Sequence, residues 1–361
     1  MKLLHCADIH LDSVMESNLS PEQAKERKRE LLLGFGDMVR YGAEHDVRAV
    51  LIAGDLFDGA SCAKRTRAYV LDLVTQYPHI GFFYLSGNHD EGEVGFTDTK
   101  NPLPENLHTF TDEWCEYRVE NVSIFGCIDP KDQATYQALS PDPARVNIAM
   151  LHGQVYESDT RFDAGINLRA LADKGLDYVA LGHIHSYRIE RLDARGVWCY
   201  AGCPEGRGFD ECGNKGFVML DVDEAGKIST QFVSLARRKC HTFSVDVSEC
   251  YSLLSLEQAL KDACATAYAQ DMVKVELTGS VTPESCHDAK YAAGVLSDRF
   301  YFAKVSDKTK LSIRAEDYQN DISLKGEFVR LVLASKLDEE TKMRVIEKGI
   351  RALGGEEVDE V

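Results

Sequence analysis

Five short apolar runs in the first 185 residues each stop in a small cluster of Asp, Asn or His, four of them beside glycine. Lys2 to Ala7 leads into Asp8-Ile9-His10, and Arg48 to Ala53 into Gly54-Asp55-Leu56-Phe57-Asp58. Gly81 to Leu85 leads into Gly87-Asn88-His89-Asp90, Asn147 to Leu151 into His152-Gly153, and Tyr178 to Leu181 into Gly182-His183-Ile184-His185. Between them, Pro21 to Glu44 and Ala63 to Gln76 read as amphipathic helices. The first has Ser20 as N-cap, Pro21 at its first position, and Leu31, Leu32, Phe35, Met38 and Val39 at helical spacing. Val122 to Cys127 reads as a further strand and Leu168 to Lys174 as a further helix. Such β-α-β-α-β alternation predicts an α/β layered sandwich.

In open α/β sheets the loops beyond the carboxyl ends of the strands form the ligand crevice. Residues spread over almost 180 positions can therefore meet at one place. Two Asp, one Asn and at least four imidazoles suit a pair of borderline divalent ions better than calcium or magnesium, which prefer all-oxygen shells. In the pairs Asp8/His10 and His183/His185, i and i+2 on an extended segment point the same way. Asp-x-His or Gly-Asp alone is ordinary turn chemistry. Five of the 11 histidines (10, 89, 152, 183 and 185) standing at strand ends is not. Asp90 is read either as an acceptor that orients a neighbouring imidazole or as a plain turn residue.

The order Asp8-x-His10, Gly54-Asp55, Gly87-Asn88-His89-Asp90, His152, Gly182-His183-x-His185 resembles the motif set of the calcineurin-like metallophosphoesterases, over residues 1 to about 235. Within them, His10-Leu11-Asp12-Ser13, Gly54-Asp55-Leu56-Phe57-Asp58 and the small unit after residue 239 resemble the DNA-repair exonucleases of the SbcD type, on a branch like YhaO. The resemblance implies an α-β-β-α sandwich and a dinuclear site with two divalent ions: manganese first, with iron, zinc and magnesium as alternatives. Asp8, His10 and His185 would hold one ion, and Asn88, His152 and His183 the other. Asp55 would bridge them, and His89 would be the catalytic histidine that serves the departing oxygen without binding metal. The ions would ionise a shared water for attack on phosphorus. The implied function is a metal-dependent DNA exonuclease or endonuclease. A small-molecule or cyclic-nucleotide phosphoesterase is the alternative, and a non-catalytic scaffold a third.

The 361 residues leave room for two or three domains. The division expected is a catalytic domain over 1–239, a small β-α-β capping domain over 240–285, and a mostly helical extension over 286–361. Tyr187 to Val233 reads as a β-rich closing layer. Leu324 to Ser335 and Glu340 to Leu353 read as helices, the latter closed by Gly354-Gly355. They carry a stripe of Leu324, Phe328, Leu331, Val332, Met343, Ile346 and Ile350 that wants a covering surface. The resemblance implies that this region docks on an SbcC-like coiled-coil ATPase; self-association into a homodimer is a further expectation.

No run approaches the ~20 apolar residues of a membrane span, and Asp8 interrupts the N-terminus before a secretory signal can form. The expected location is the cytoplasm, with no membrane partner. Eleven scattered cysteines without a C-x-x-C pair suggest buried free thiols. A net charge of −18 excludes binding nucleic acid by bulk attraction, so a DNA substrate must be held locally. The islands Lys25-x-Arg27-Lys28-Arg29, Lys64-Arg65-x-Arg67 and Arg237-Arg238-Lys239, with Tyr156 and Phe209 as stacking surfaces, are the candidates.

Overall fold

The computed structural model describes every residue except 16–18, 60–61, 91–95, 97–101, 163–164, 283–284, 313–317, 319 and 354–361. The glycine pair expected to close the last helix lies outside the described residues. The chain divides into two compact units, Met1–Lys239 and Cys240–Val361.

The first unit opens with β1 (Lys2–Cys6), α1 (Pro21–Glu44), β2 (Val47–Ala53), α2 (Lys64–Gln76), β3 (Gly81–Leu85) and β4 (Leu107–Thr109). There follow β5 (Cys115–Val119), β6 (Val122–Gly126), α3 (Gln133–Ala138), β7 (Val146–His152), β8 (Val155–Tyr156), β9 (Ile166–Asn167) and α4 (Leu168–Leu171). It closes with β10 (Tyr178–Gly182), β11 (Arg188–Arg191), β12 (Val197–Tyr200), β13 (Gly216–Val222) and β14 (Ile228–Ser234). Two six-stranded sheets result, in the orders β14-β13-β1-β2-β3-β4 and β11-β12-β10-β7-β6-β5. Strands β1 to β4 run parallel, as do β6, β7, β10 and β12.

Side-chain alternation sorts these strands into four layers. Leu4, Cys6, Val50, Ile52, Phe82 and Tyr84 face α1 and α2, while Leu3, Ala49, Leu51 and Phe83 face the second sheet's Ile124, Ile148, Met150 and Ala180. Leu151, Val179, Leu181 and Trp198 pack under α3 and α4. The unit is therefore an α-β-β-α sandwich. Each fully buried Leu or Phe contributes roughly 1.5–3 kcal/mol, so the inter-sheet core clamps the two sheets' strand ends side by side. Helix α1 starts as its sequence predicts, with a reciprocal capping box between Ser20 and Gln23 and Pro21 in the first turn. Ala63 gives α2 no side-chain cap. Asp12 does so instead, accepting from the Ala63 amide (2.8 Å) and Thr66 Oγ1 (2.6 Å).

Two expectations change in this unit. The strands after Tyr187 form no separate layer: β11 and β12 extend the second sheet, while β13 and β14 extend the first beside β1. Apolar alternation reports that a strand exists, not which edge it joins. The helix expected over Leu168 to Lys174 is one turn long, ending at Leu171.

In the second unit, β15 (Cys240–Asp246), α5 (Leu253–Ala263) and β16 (Met272–Thr278) form the expected parallel β-α-β. Next come β17 (Ser280–Val281), α6 (Ala289–Ser297), β18 (Phe302–Asp307) and β19 (Lys310–Leu311). Strand β18 pairs with β16 and completes the sheet β15-β16-β18, so the small domain runs past the expected boundary at 285. Last come α7 (Leu324–Leu333) and α8 (Glu339–Leu353). Among the described residues no helix is long and apolar enough to cross a membrane. The cysteines are free thiols, most of them buried.

Candidate metal centre

Five strand ends converge at the shared carboxyl edge of the two sheets of the first unit. The loops after β1 and β2 stay zipped together past the last ladder bonds: Asp8 N–H donates to Gly54 C=O (3.1 Å), His10 N–H to Asp55 C=O (2.9 Å), and Leu11 N–H to Leu56 C=O (2.9 Å). This places Asp8 and His10 against Asp55. The cost is backbone strain, since Asp8, His10, Asp55 and His183 all hold positive φ (53°, 49°, 51° and 99°), a clustering expected of functional sites. Gly54, at φ +90°, sits so close to His152 that a Cβ would fall 2.0 Å from Nδ1. Only glycine admits the imidazole there.

His152 gives Nδ1–H to Ala53 C=O (3.0 Å), which turns the lone pair of Nε2 toward Asn88 Oδ1 (3.0 Å) and Asp55 Oδ2 (3.3 Å). His10 Nε2 and His185 Nε2 face each other at 3.3 Å, with Asp55 Oδ2 3.7 Å from the former. His183 Nδ1 lies 3.4 Å from Asn88 Oδ1, and its amide donates to Asp8 Oδ1 (2.8 Å). Asp8 Oδ2 is buried with no hydrogen-bond partner among the described residues. A buried carboxylate oxygen without a donor, beside acceptors that face acceptors, is what a cation satisfies. The donor set therefore fits divalent metal. Ligand atoms of Asp8, His10 and His185 lie within 4.8 Å of one another, and so do those of Asp8, Asp55 and His152.

The electrostatics point the same way. Burial raises Asp8 to about 6 despite nearby imidazoles. Burial would raise Asp55 too, but His152, the His89 amide and His10 hold it down at about 2. Asp55 and Asp8 push His152 up to about 9 against its own burial, so the carboxylates here favour positive charge at this point. Burial lowers His10 and His183, keeping their rings neutral and able to ligate.

His89 stands apart. Its side chain is 46% exposed, and Nδ1 lies 2.9 Å from Asp58 Oδ1. Its backbone N–H donates to Asp55 Oδ1 (2.8 Å), which fixes the loop. Among the described residues Asp90 holds backbone rather than an imidazole: its carboxylate accepts the amides of Phe57 (2.8 Å), Gly87 (3.1 Å) and Leu56 (3.2 Å), tying the Asp55 loop to the Asn88 loop.

Three contributors carry no role in the sequence pattern. Asp58 appears only as a motif letter, yet it touches both His89 and, at 3.5 Å, His10 Nδ1. Arg207 and Glu211 lie in an irregular loop without periodicity, where nothing local signals that Glu211 Oε1 sits 2.6 Å from His185 Nδ1. Three arginines of the basic islands are engaged elsewhere. Arg27 is buried between Glu30, Glu205 and Gly206 C=O; Arg238 pairs with Glu30 and Glu26, and Arg237 with Asp37. Tyr156 donates its hydroxyl to Arg161 C=O.

The sequence profile of calcineurin-like phosphoesterases matches residues 1–187, just over half of the chain. The chain belongs to the calcineurin-like phosphoesterases. It is thus a hydrolase of a family that works with divalent metals, and the convergent carboxylates and imidazoles lie where such ions fit. The uncharacterized metallophosphoesterase YhaO of Bacillus subtilis (strain 168) is 27% identical over 279 residues, which are 73% of this chain and 67% of the relative. The DNA double-strand break repair protein Mre11 of Aeropyrum pernix is 26% identical, over 69% of this chain and 64% of its own length. Mre11 of Sulfolobus acidocaldarius is 24% identical over 370 aligned positions, covering 95% of this chain and 93% of its own length.

Proposed function

We propose that this calcineurin-like phosphoesterase is a two-metal phosphodiesterase that acts on DNA, as a nuclease of the SbcD type. The observation that carries the two-metal reading is the meeting of Asp8, His10, Asp55, Asn88, His152, His183 and His185 at one sheet edge, with Asp8 Oδ2 left without a donor. Asp8, His10 and His185 would hold one ion and Asn88, His152 and His183 the other, with Asp55 between them. Bound there, divalent ions supply an activated water and neutralise charge that develops on phosphorus. His89, steered by Asp58, keeps Nε2 available to protonate the departing oxygen.

The DNA assignment draws support from one Mre11 relative, that of Sulfolobus acidocaldarius, which aligns along nearly the whole chain, second unit included. Bulk charge does not help it. With a net charge of −18 and Arg27, Arg237 and Arg238 spent on ion pairs, the chain grips a phosphate backbone weakly on its own. That same fact favours the second reading, a small phosphodiester or cyclic nucleotide as substrate. Under the DNA reading the grip comes from a partner, an SbcC-like coiled-coil ATPase. Exposed Ile322, Leu324 and Leu331 at α7 offer it a surface.

Metal analysis joined to a substrate panel tests this. The expected result is two ions per chain, manganese-dependent cleavage of linear DNA, and hydrolysis of an aryl phosphodiester. Turnover of cyclic nucleotides with linear DNA untouched would replace the nuclease with the second reading. Failure of every diester with two ions bound would leave a scaffold.

A further inference from the structure

The loop between β12 and β13 builds a clasp around one metal-site histidine. His185 Nδ1 stands 2.6 Å from Glu211 Oε1, and Glu211 is buried. The same carboxylate accepts from Arg207 at both oxygens: Nη2 (2.7 Å) and Nε (3.1 Å) at Oε1, and the backbone amide (2.7 Å) and, more distantly, Nε (3.5 Å) at Oε2. Arg207 Nη1 reaches Ser13 Oγ (3.3 Å), three residues beyond His10. The His185 carbonyl accepts from the buried Lys215 Nζ (2.6 Å). Ring and backbone of His185 are thus held from separate sides.

An ionised carboxylate only accepts, and at 2.6 Å Glu211 calls for the hydrogen on Nδ1, with the Nε2 lone pair turned toward His10 Nε2 at 3.3 Å; the donor-only Arg207 Nη2 also stands 3.2 Å from Nδ1, but its nearer partner, at 2.7 Å, is Glu211 Oε1. His152 is oriented differently, by the neutral Ala53 carbonyl. A carboxylate partner makes a ligating imidazole more basic than a carbonyl partner does. Arg207 fixes both oxygens of Glu211 and balances its charge, so the clasp adds orientation without adding net charge beside the metal site.

We propose that Glu211, braced by Arg207, is a positioning residue that holds His185 in its Nδ1–H tautomer and so sets the affinity of the ion at Asp8, His10 and His185 separately from the ion at Asn88, His152 and His183. This rests on the two-ion reading above.

The test is equilibrium dialysis of the full chain against Mn²⁺ with metal analysis, for the unaltered protein and for Glu211→Gln and Arg207→Met. In Glu211→Gln one of two manganese ions binds about 10- to 100-fold more weakly, the usual penalty for losing such a partner. The other stays within about twofold, and saturating manganese restores diester turnover. Arg207→Met weakens the same ion by a smaller factor. Two ions held with unchanged affinity in Glu211→Gln, or both weakened alike, overturns the inference while leaving the two-ion reading intact. Fewer than two ions in the unaltered chain overturns both. Should the variants not fold, ¹⁵N spectra of the histidine rings in the unaltered zinc-loaded protein decide: a His185 hydrogen on Nδ1 supports the clasp, and one on Nε2 overturns it.

Discussion

Asp58 Oδ1 lies 2.9 Å from Nδ1 of His89, the imidazole that faces solvent at the mouth of the metal centre. The same carboxylate approaches the buried His10 at 3.5 Å, and that ring is the main cause of its low pKa, well below the usual carboxylate range and against the upward push of burial. Asp58 is therefore ionised throughout the working range and fixes which nitrogen of His89 turns outward. His89→Gln is expected to lower turnover of an activated diester by about 10²- to 10⁴-fold with metal content unchanged. Asp58→Asn should lower it by about 10- to 100-fold, and the double variant by little more than His89→Gln alone, because the pair acts as a unit. If His89→Gln sheds metal, the residue is a ligand and not a proton donor.

Asp55 reaches both imidazole groups: Oδ2 is 3.3 Å from His152 and 3.7 Å from His10, while Oδ1 holds the His89 amide. Asp55→Ala should release both ions together, measured as metal per chain after gel filtration at low free manganese. Retention of two tightly bound ions would refute the shared-carboxylate assignment.

Strand ends were legible because the chemistry repeats there. Residues 47–53 and 178–182 are apolar on both faces, so their runs stop sharply, and the polar residue that follows is conspicuous. Helix α1 was equally plain, since Ser20, Pro21 and Gln23 spell its start locally. What escaped depends on distance in sequence. The placement of β13 beside β1 is a pairing over some 215 residues, for instance Leu4 with Met219. Glu211 meets His185 across 26 residues that include β11, β12 and the irregular loop after them. Asp58 was visible as a letter, but its contact with His89 needs β2 and β3 side by side.

Glu205 supplies a pH dependence away from the metal centre. Burial, and to a lesser degree the charge of Glu30, raise its carboxyl to about 7 despite Arg27 at 3.7 Å and the Arg237 amide at 2.6 Å. A carboxyl raised in the folded state binds its proton more tightly there than in the unfolded chain. Its stabilising contribution is complete below the ordinary value near 4.5 and is lost as pH rises through about 7. Glu205→Gln keeps a neutral side chain at every pH. Between pH 5 and 8 the wild type should lose about 2 kcal/mol relative to the variant in urea unfolding. Parallel stability curves over that range would show that Glu205 stays ionised, held by Arg27.

The stripe on the last two helices divides into two rows with different fates. Val329, Val332, Ile346 and Ile350 are buried with Tyr318 in a cluster of the α7–α8 pair, whereas Leu324 is 72% and Leu331 64% exposed, with Ile322 wholly exposed just before α7. Of the seven stripe residues, Val332, Ile346 and Ile350 are thus the pair's own core and Phe328 packs against it, and only Leu324 and Leu331 are left exposed to want a cover. Truncating the two rows separates structure from association. Ile346→Ala should destabilise the helical pair by about 2–5 kcal/mol, seen as early loss of amide-exchange protection over residues 324–353. Leu324→Ser with Leu331→Ser should leave unfolding within about 0.5 kcal/mol of wild type and leave aryl-diester turnover unchanged, since neither residue belongs to the metal centre. Under the proposed function that double variant loses association with a coiled-coil ATPase of the SbcC type and, with it, efficient DNA cleavage. Sedimentation of the chain alone separates the remaining occupant: a dimer that the double variant converts to monomer would assign the exposed row to a second copy of this chain.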